Sequence, residues 1–176
     1  MPDWSERGHV LATCDKQFVY CRVVGVGNMN NCAAFQTYSQ QMRERGYREF
    51  ILDFSSCEGM DSTFLGILLG IALGDRRTPA HVVVVNANDT IRRILGEVGI
   101  DRLLDVCSEG IALPEIPLQR LQEEQRGRDR IAMILRAHED LCEIDSDNNQ
   151  RFGSFLKALK KELAQQDDDN DEESPR

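Results

Sequence analysis

The residues of this chain best placed to do chemistry are Asp61, Ser62 and Thr63, a carboxylate followed by two hydroxyls. They stand between two apolar segments, "REFILDF" before and "FLGILLGIAL" after. At the start of a helix, Asp61 accepts a hydrogen bond from a free backbone N–H, as does Ser62 if the boundary falls one residue later. A helix N-terminus also carries partial positive charge, so a hydroxyl there accepts a phosphoryl group at little electrostatic cost. Catalysis by the same group would need a base. The three histidines, His9, His81 and His138, lie far apart and none stands at a motif spacing from Ser62. The six cysteines (14, 21, 32, 57, 107 and 142) form no C-x-x-C pair and have no histidine at metal-ligand spacing. "GVGNMN" is a lone G-x-G without the later glycine of a dinucleotide fingerprint. Neither catalytic residues, nor a metal, nor a cofactor is expected.

Composition narrows the class further. A net charge of −9 over 176 residues argues against nucleic-acid binding, which demands a basic surface. The last ten residues, "DDDNDEESPR", contribute −5 of that charge. The N-terminus "MPDWSERGH" lacks the apolar core of a signal peptide, and the longest apolar run, Phe64 to Leu73, is too short to span a bilayer. A reduced, cytoplasmic, soluble protein without membrane insertion is expected.

These residues need elements to hold them. "HVLATC" and "QFVYCRVVGV" read as a β-hairpin turning at Asp15-Lys16. Asn31 caps a helix over about Cys32 to Arg45, with Phe35, Tyr38 and Met42 on one face. "YREFILDF" and "AHVVVVNA" have the unbroken apolar character of parallel strands buried on both faces. The helix opening at Asp61 or Ser62 lies between them, and Asp89 caps a shorter helix before a last strand, "LLDVC". The order β-β-α-β-α-β-α-β implies an α/β fold: a mixed, largely parallel sheet with helices on one face. The expected organisation is a domain over 1–110 and a proline-containing linker with a helix start over 111–127. A helical hairpin over 128–166 and a disordered acidic tail over 167–176 follow.

In the hairpin, Ile131, Ile134, Leu135, His138 and Leu141 form one stripe, and Phe152, Phe155, Leu156, Leu159 and Leu163 another. Each must bury against the other, the sheet, or a partner chain, which leaves a homo-oligomer through these helices open. Gly66, Gly70 and Gly74 recur every fourth residue, which predicts a close approach, by the sheet or by a partner.

Strand "ILDF", the loop, "DSTFLG", the apolar helix, strand "VVVVN" and "TIRRILGEVGIDRLLDV" together resemble the STAS domain of bacterial anti-sigma-factor antagonists, over roughly residues 9–108. The resemblance implies a non-enzymatic switch protein. In that family the hydroxyl residue after the motif's Asp is phosphorylated by an anti-sigma factor that is also a serine kinase, and a PPM-type phosphatase resets it. Ser62 matches that position, with Thr63 the alternative acceptor. Unphosphorylated, such a protein binds the anti-sigma factor; phosphorylated, it lets go. The partner surface then comprises Asn28, Asn30, Asn31, Asp61, Ser62, Thr63, Phe64 and Gly66.

Two departures stand out. Phe64 replaces the usual glycine, pointing either into a partner's pocket or into the core. The loop Gly27–Asn31 lacks the acid often found there. The alternative reading is a constitutive STAS adaptor, of the kind attached to anion transporters or lipid-transport complexes, without phosphorylation.

Overall fold

The computed structural model describes residues 8–74, 79–113, 115–122 and 127–172. Two strands open the chain, β1 (Gly8–Cys14) and β2 (Phe18–Gly27), paired antiparallel with Cys14 opposite Val19. The Asp15 carboxylate closes the turn between them, accepting from the backbone N–H groups of Gln17 and Phe18 at 2.8 Å each. The sheet continues with β3 (Glu49–Met60), β4 (His81–Val85), β5 (Asp105–Val106) and β6 (Gln119–Arg120). Its order is β5-β4-β3-β2-β1-β6. The pairs β2–β3, β3–β4 and β4–β5 are parallel, while β1 is antiparallel to both β2 and β6. Parallel neighbours require crossovers, supplied by α1 (Cys32–Glu44), α2 (Ser62–Leu73) and α3 (Asp89–Glu97).

The strand register sorts the side chains by face. Ala12, Cys21, Leu52 and Val84 lie side by side across four strands and are buried. With Val10, Val19, Val23, Phe50 and Val82 they form the floor on which the crossover helices rest. The other face is partly open and carries a polar group. Asp53, 1% exposed, accepts from Tyr20 Oη and Arg22 Nε at 2.7 Å, and from Asn86 Nδ2 and Ser55 N at 3.0 Å. Burial alone would raise its pKa. The donors from Asn86, Ser55, Tyr20 and Arg22 outweigh that and hold the carboxyl below its ordinary value.

The C-terminal helices, α4 (Gly127–Ile144) and α5 (Asp147–Glu172), pack on this domain rather than away from it. Met133, Ile134, Ala137 and Leu141 of α4 and Leu159 of α5 join the same apolar cluster as the sheet. Burying a side chain the size of Leu141 or Ile134 stabilises by roughly 1.5–3 kcal/mol, so a few such contacts suffice to seat the hairpin.

Several sequence expectations are corrected. The segment 111–127 contains β6, two exposed residues that extend the sheet beyond β1; a two-residue edge strand has no periodicity to read. Asn88, not Asp89, caps α3, its side chain accepting from Ile91 N. Asn31 stands at the N-cap of α1 but makes no side-chain cap bond; its oxygen accepts from Asn28 N instead. The helix α5 runs as far as Glu172, into the segment expected to be a disordered acidic tail. Residues 173–176, Pro114 and 123–126 fall outside the described residues.

Candidate functional site

The site forms where the C-terminal end of β3 meets the N-terminus of α2. Asp61 is the N-cap: its Oδ1 accepts from Phe64 N at 2.8 Å. Its second oxygen accepts from Met29 N at 2.9 Å, and its own N–H donates to Gly27 O at 2.9 Å. One residue therefore caps α2 and ties it to the β2–α1 loop. Burial raises the Asp61 pKa, opposed by those backbone N–H groups and by nearby His138.

The β2–α1 loop is held by its own asparagines. Asn28 Oδ1 accepts from Asn30 N, and Asn31 Nδ2 donates to Val26 O, both at 2.9 Å. Asn28 is buried, Asn31 half-buried and Asn30 exposed.

Ser62, half-buried, is the first residue of α2. Its Oγ lies 2.9 Å from Nε2 of His138, a residue of α4 that is 0% exposed. The His138 Nδ1 lies 2.8 Å from Ile134 O. A carbonyl only accepts, so Nδ1 carries the ring proton. Burial depresses the His138 pKa, although the Ile134 carbonyl and Asp61 pull the other way. The neutral ring therefore presents an unprotonated Nε2, and the Ser62 hydroxyl donates to it. Phe152 and Phe155 of α5 meet the imidazole edge-on, with centroids 5.1 and 4.9 Å away.

Sequence reasoning placed no base near Ser62; the structure brings one from 76 residues away. The single signal available was a histidine on an otherwise apolar helical stripe, and that pattern reads equally well as core.

Two further contacts seat α4. Arg130 donates to Asn30 Oδ1 at 2.9 Å. Lower down, a β-carbon built on Gly66 would fall 2.3 Å from the carbonyl oxygen of Ala137, so only glycine admits α4 at this separation.

Among known families, the one described as "Mlab, STAS domain" matches residues 16–105, just over half of the chain. The chain belongs to the STAS domain family.

No curated protein matches the sequence. Solved structures similar to it include a putative anti-sigma factor antagonist from Thermotoga maritima, at 21% identity and TM-score 0.49, covering 54% of this chain and 82% of the other. The anti-sigma factor antagonist SpoIIAA in its unphosphorylated form aligns at 19% identity and TM-score 0.43, covering 53% and 94%. SLC26A9 aligns at 13% identity and TM-score 0.41, covering 57% of this chain and 22% of that one.

Within the STAS domain the expected surface residues separate sharply. Asp61, Ser62 and the asparagine loop do come together. Thr63, 3% exposed, does not offer its hydroxyl to solvent. Phe64 is fully buried, stacked on Phe35 with centroids 5.4 Å apart and with its ring against Gly27. It is a core residue and not a partner contact in this conformation, because an aromatic at this turn gains more from the space above Gly27 than from water. Gly66 is likewise covered, by Ala137. Of the glycine stripe, Gly66 serves a close approach by the chain's own α4.

The six cysteines are free, and Cys21, Cys32 and Cys57 are buried, with their thiol pKa values raised by burial. Among the described residues, no three His, Cys, Asp or Glu side chains come together as a metal site. No helix among them is long and apolar enough to cross a membrane.

Proposed function

We propose that this STAS protein is a non-enzymatic, partner-binding switch of the anti-sigma-antagonist type, with Ser62 as its phosphoacceptor. The observation that carries the reading is the position of Ser62. It opens α2 directly after a fully engaged Asp61 cap, half-exposed, with its hydroxyl proton directed at a neutral imidazole. Phosphorylation adds about −1.5 to −2 charge at such a hydroxyl. The helix N-terminus tolerates that charge, while a docked partner meets new bulk and repulsion. The partner in this reading is an anti-sigma factor with serine-kinase activity, opposed by a PPM-type phosphatase. The exposed Asn30 and the Ser62 rim are the first surface it would meet. Phe155, 42% exposed on α5, is the apolar side chain best placed for self-association through the C-terminal helices.

A second reading, a constitutive STAS adaptor, is favoured by one specific feature: α4 already covers the first two turns of α2. Phosphopeptide mass spectrometry on the protein from its native host, in growth and under stress, separates the two. Condition-dependent phosphate at Ser62 is the expected result. No phosphate at Ser62 in any condition would leave the adaptor.

A further inference from the structure

Ser62 and the face of α2 below it are occupied by a part of the same chain, and the contacts that hold it there converge on the modifiable hydroxyl. We propose that the α4–α5 hairpin is a built-in cover for Ser62, latched by His138, and that a phosphoryl group on Ser62 keeps the cover lifted. This rests on the reading of Ser62 as a phosphoacceptor and adds how that site is regulated.

The geometry opposes a phosphoryl group on Ser62 while α4 stays in place. The 2.9 Å between Ser62 Oγ and His138 Nε2 is a hydrogen-bond length, with no room for phosphorus and three oxygens. The imidazole is pinned by the Ile134 carbonyl on one side and by the rings of Phe152 and Phe155 on others. It therefore cannot swing aside without breaking its bond to Ile134 or displacing those rings. Nor can α4 slide along α2, because Ala137 is seated in the notch at Gly66.

Phosphoryl transfer from ATP forms an Oγ–P bond, breaks the bond from the γ-phosphorus to the bridging oxygen, and releases ADP and the hydroxyl proton. A kinase needs Ser62 uncovered to perform this step, so the hairpin and the kinase compete for one surface. Afterwards the phosphate occupies the place of the imidazole. It also stands beside the Asp61 carboxylate, and the hairpin cannot reseat in its former position.

The contrary outcome is well defined. A phosphoserine that drew a proton onto His138 and paired with it would tighten the cover instead of lifting it.

The test uses the full chain with phosphoserine incorporated at position 62 during translation, so its result does not depend on whether any kinase acts on Ser62 in the host. Amide hydrogen exchange is compared with that of the unmodified chain. The expected result is a loss of protection in 127–144 and in 66–69 of at least about tenfold, the shift produced by losing roughly one buried hydrogen bond. Amides of β2, β3 and β4 should keep theirs. Ser62→Glu supplies the same readout should the phosphoserine chain fold poorly. Equal or greater protection of α4 would overturn the proposal, as would a loss spread evenly over the sheet.

Discussion

At the scale of single residues, His138 is unusual in being wholly buried, ionisable and bonded at both ring nitrogens. Its folded-state pKa lies below the ordinary 6.5 because burial disfavours the cation. When pH falls below about 6.5, a state with the ring exposed takes up a proton before the seated state does. The stability contributed by seating the neutral ring is thus complete above that value and is lost as pH falls toward the depressed folded pKa. Asp61, which faces His138 from α2, works in the opposite sense. Its raised pKa favours folding below 3.8 and loses that contribution as pH rises through the folded value. Urea midpoints should therefore fall as pH drops below about 6.5, where an exposed histidine takes up its proton, and on toward the depressed folded pKa of His138. In His138→Gln this fall should shrink clearly; an unchanged pH dependence would show that His138 does not carry it.

Asp61 and Ser62 were legible from the order of residue types alone: a capping carboxylate, then hydroxyls, then an apolar helix. Phe64 was not, since the sequence permits both an inward and an outward aromatic. The decision fell to Phe35 and to the missing side chain of Gly27, which together open a slot for one ring.

At the scale of elements, the glycines of α2 divide by what faces them. Gly66 meets the α4 backbone at a distance that excludes any β-carbon, whereas a β-carbon on Gly70 would come no nearer than 3.7 Å to a neighbour, Asp140 Oδ2. Gly66→Ala should therefore force α4 outward and destabilise by about 1–3 kcal/mol, the usual range for overpacking a tight contact. Gly70→Ala should be neutral, or stabilise by up to roughly 1 kcal/mol, because alanine is the better helix former. Urea denaturation of the two variants checks the contrast, and a matching loss in both would refute the close approach. The order of strands and crossover helices followed from periodicity, whereas the two-face burial expected of β3 and β4 holds only in part, with Ile51 and Val83 half-buried on the more open face. Periodicity was silent on β6, which is too short to have any. It showed that the hairpin stripes must bury, without showing against what.

Considered as a whole, the molecule is tied together across both faces of its sheet. The hairpin closes the helical side; on the other, Asp53 gathers β2, β3 and the Asn86 turn, and Asn86 in turn bonds both the N–H and the carbonyl of Ile111. Asn86 adopts φ 58°, a backbone conformation that asparagine tolerates better than most residues. Asp53→Asn keeps the shape but removes the charge that Arg22 and Tyr20 address. Arg22 is about one-third exposed, so solvent screens part of the loss. A destabilisation of about 2 kcal/mol is expected, within the range for hydrogen bonds to charged groups. The wild-type advantage should disappear as pH drops below 3.8 and through the depressed folded pKa of Asp53. Equal urea midpoints for Asp53→Asn and wild type at neutral pH would refute this role.

The sequence by itself determined the α/β alternation, the capped turn at Asp61-Ser62 and the family, because local hydrogen bonding and side-chain periodicity are properties of short stretches. Only the tertiary structure decided that Phe64 turns inward and that α4 lies on Gly66. It alone decided that His138 accepts a hydrogen bond from Ser62, since each of these depends on which distant surfaces fill one another's gaps.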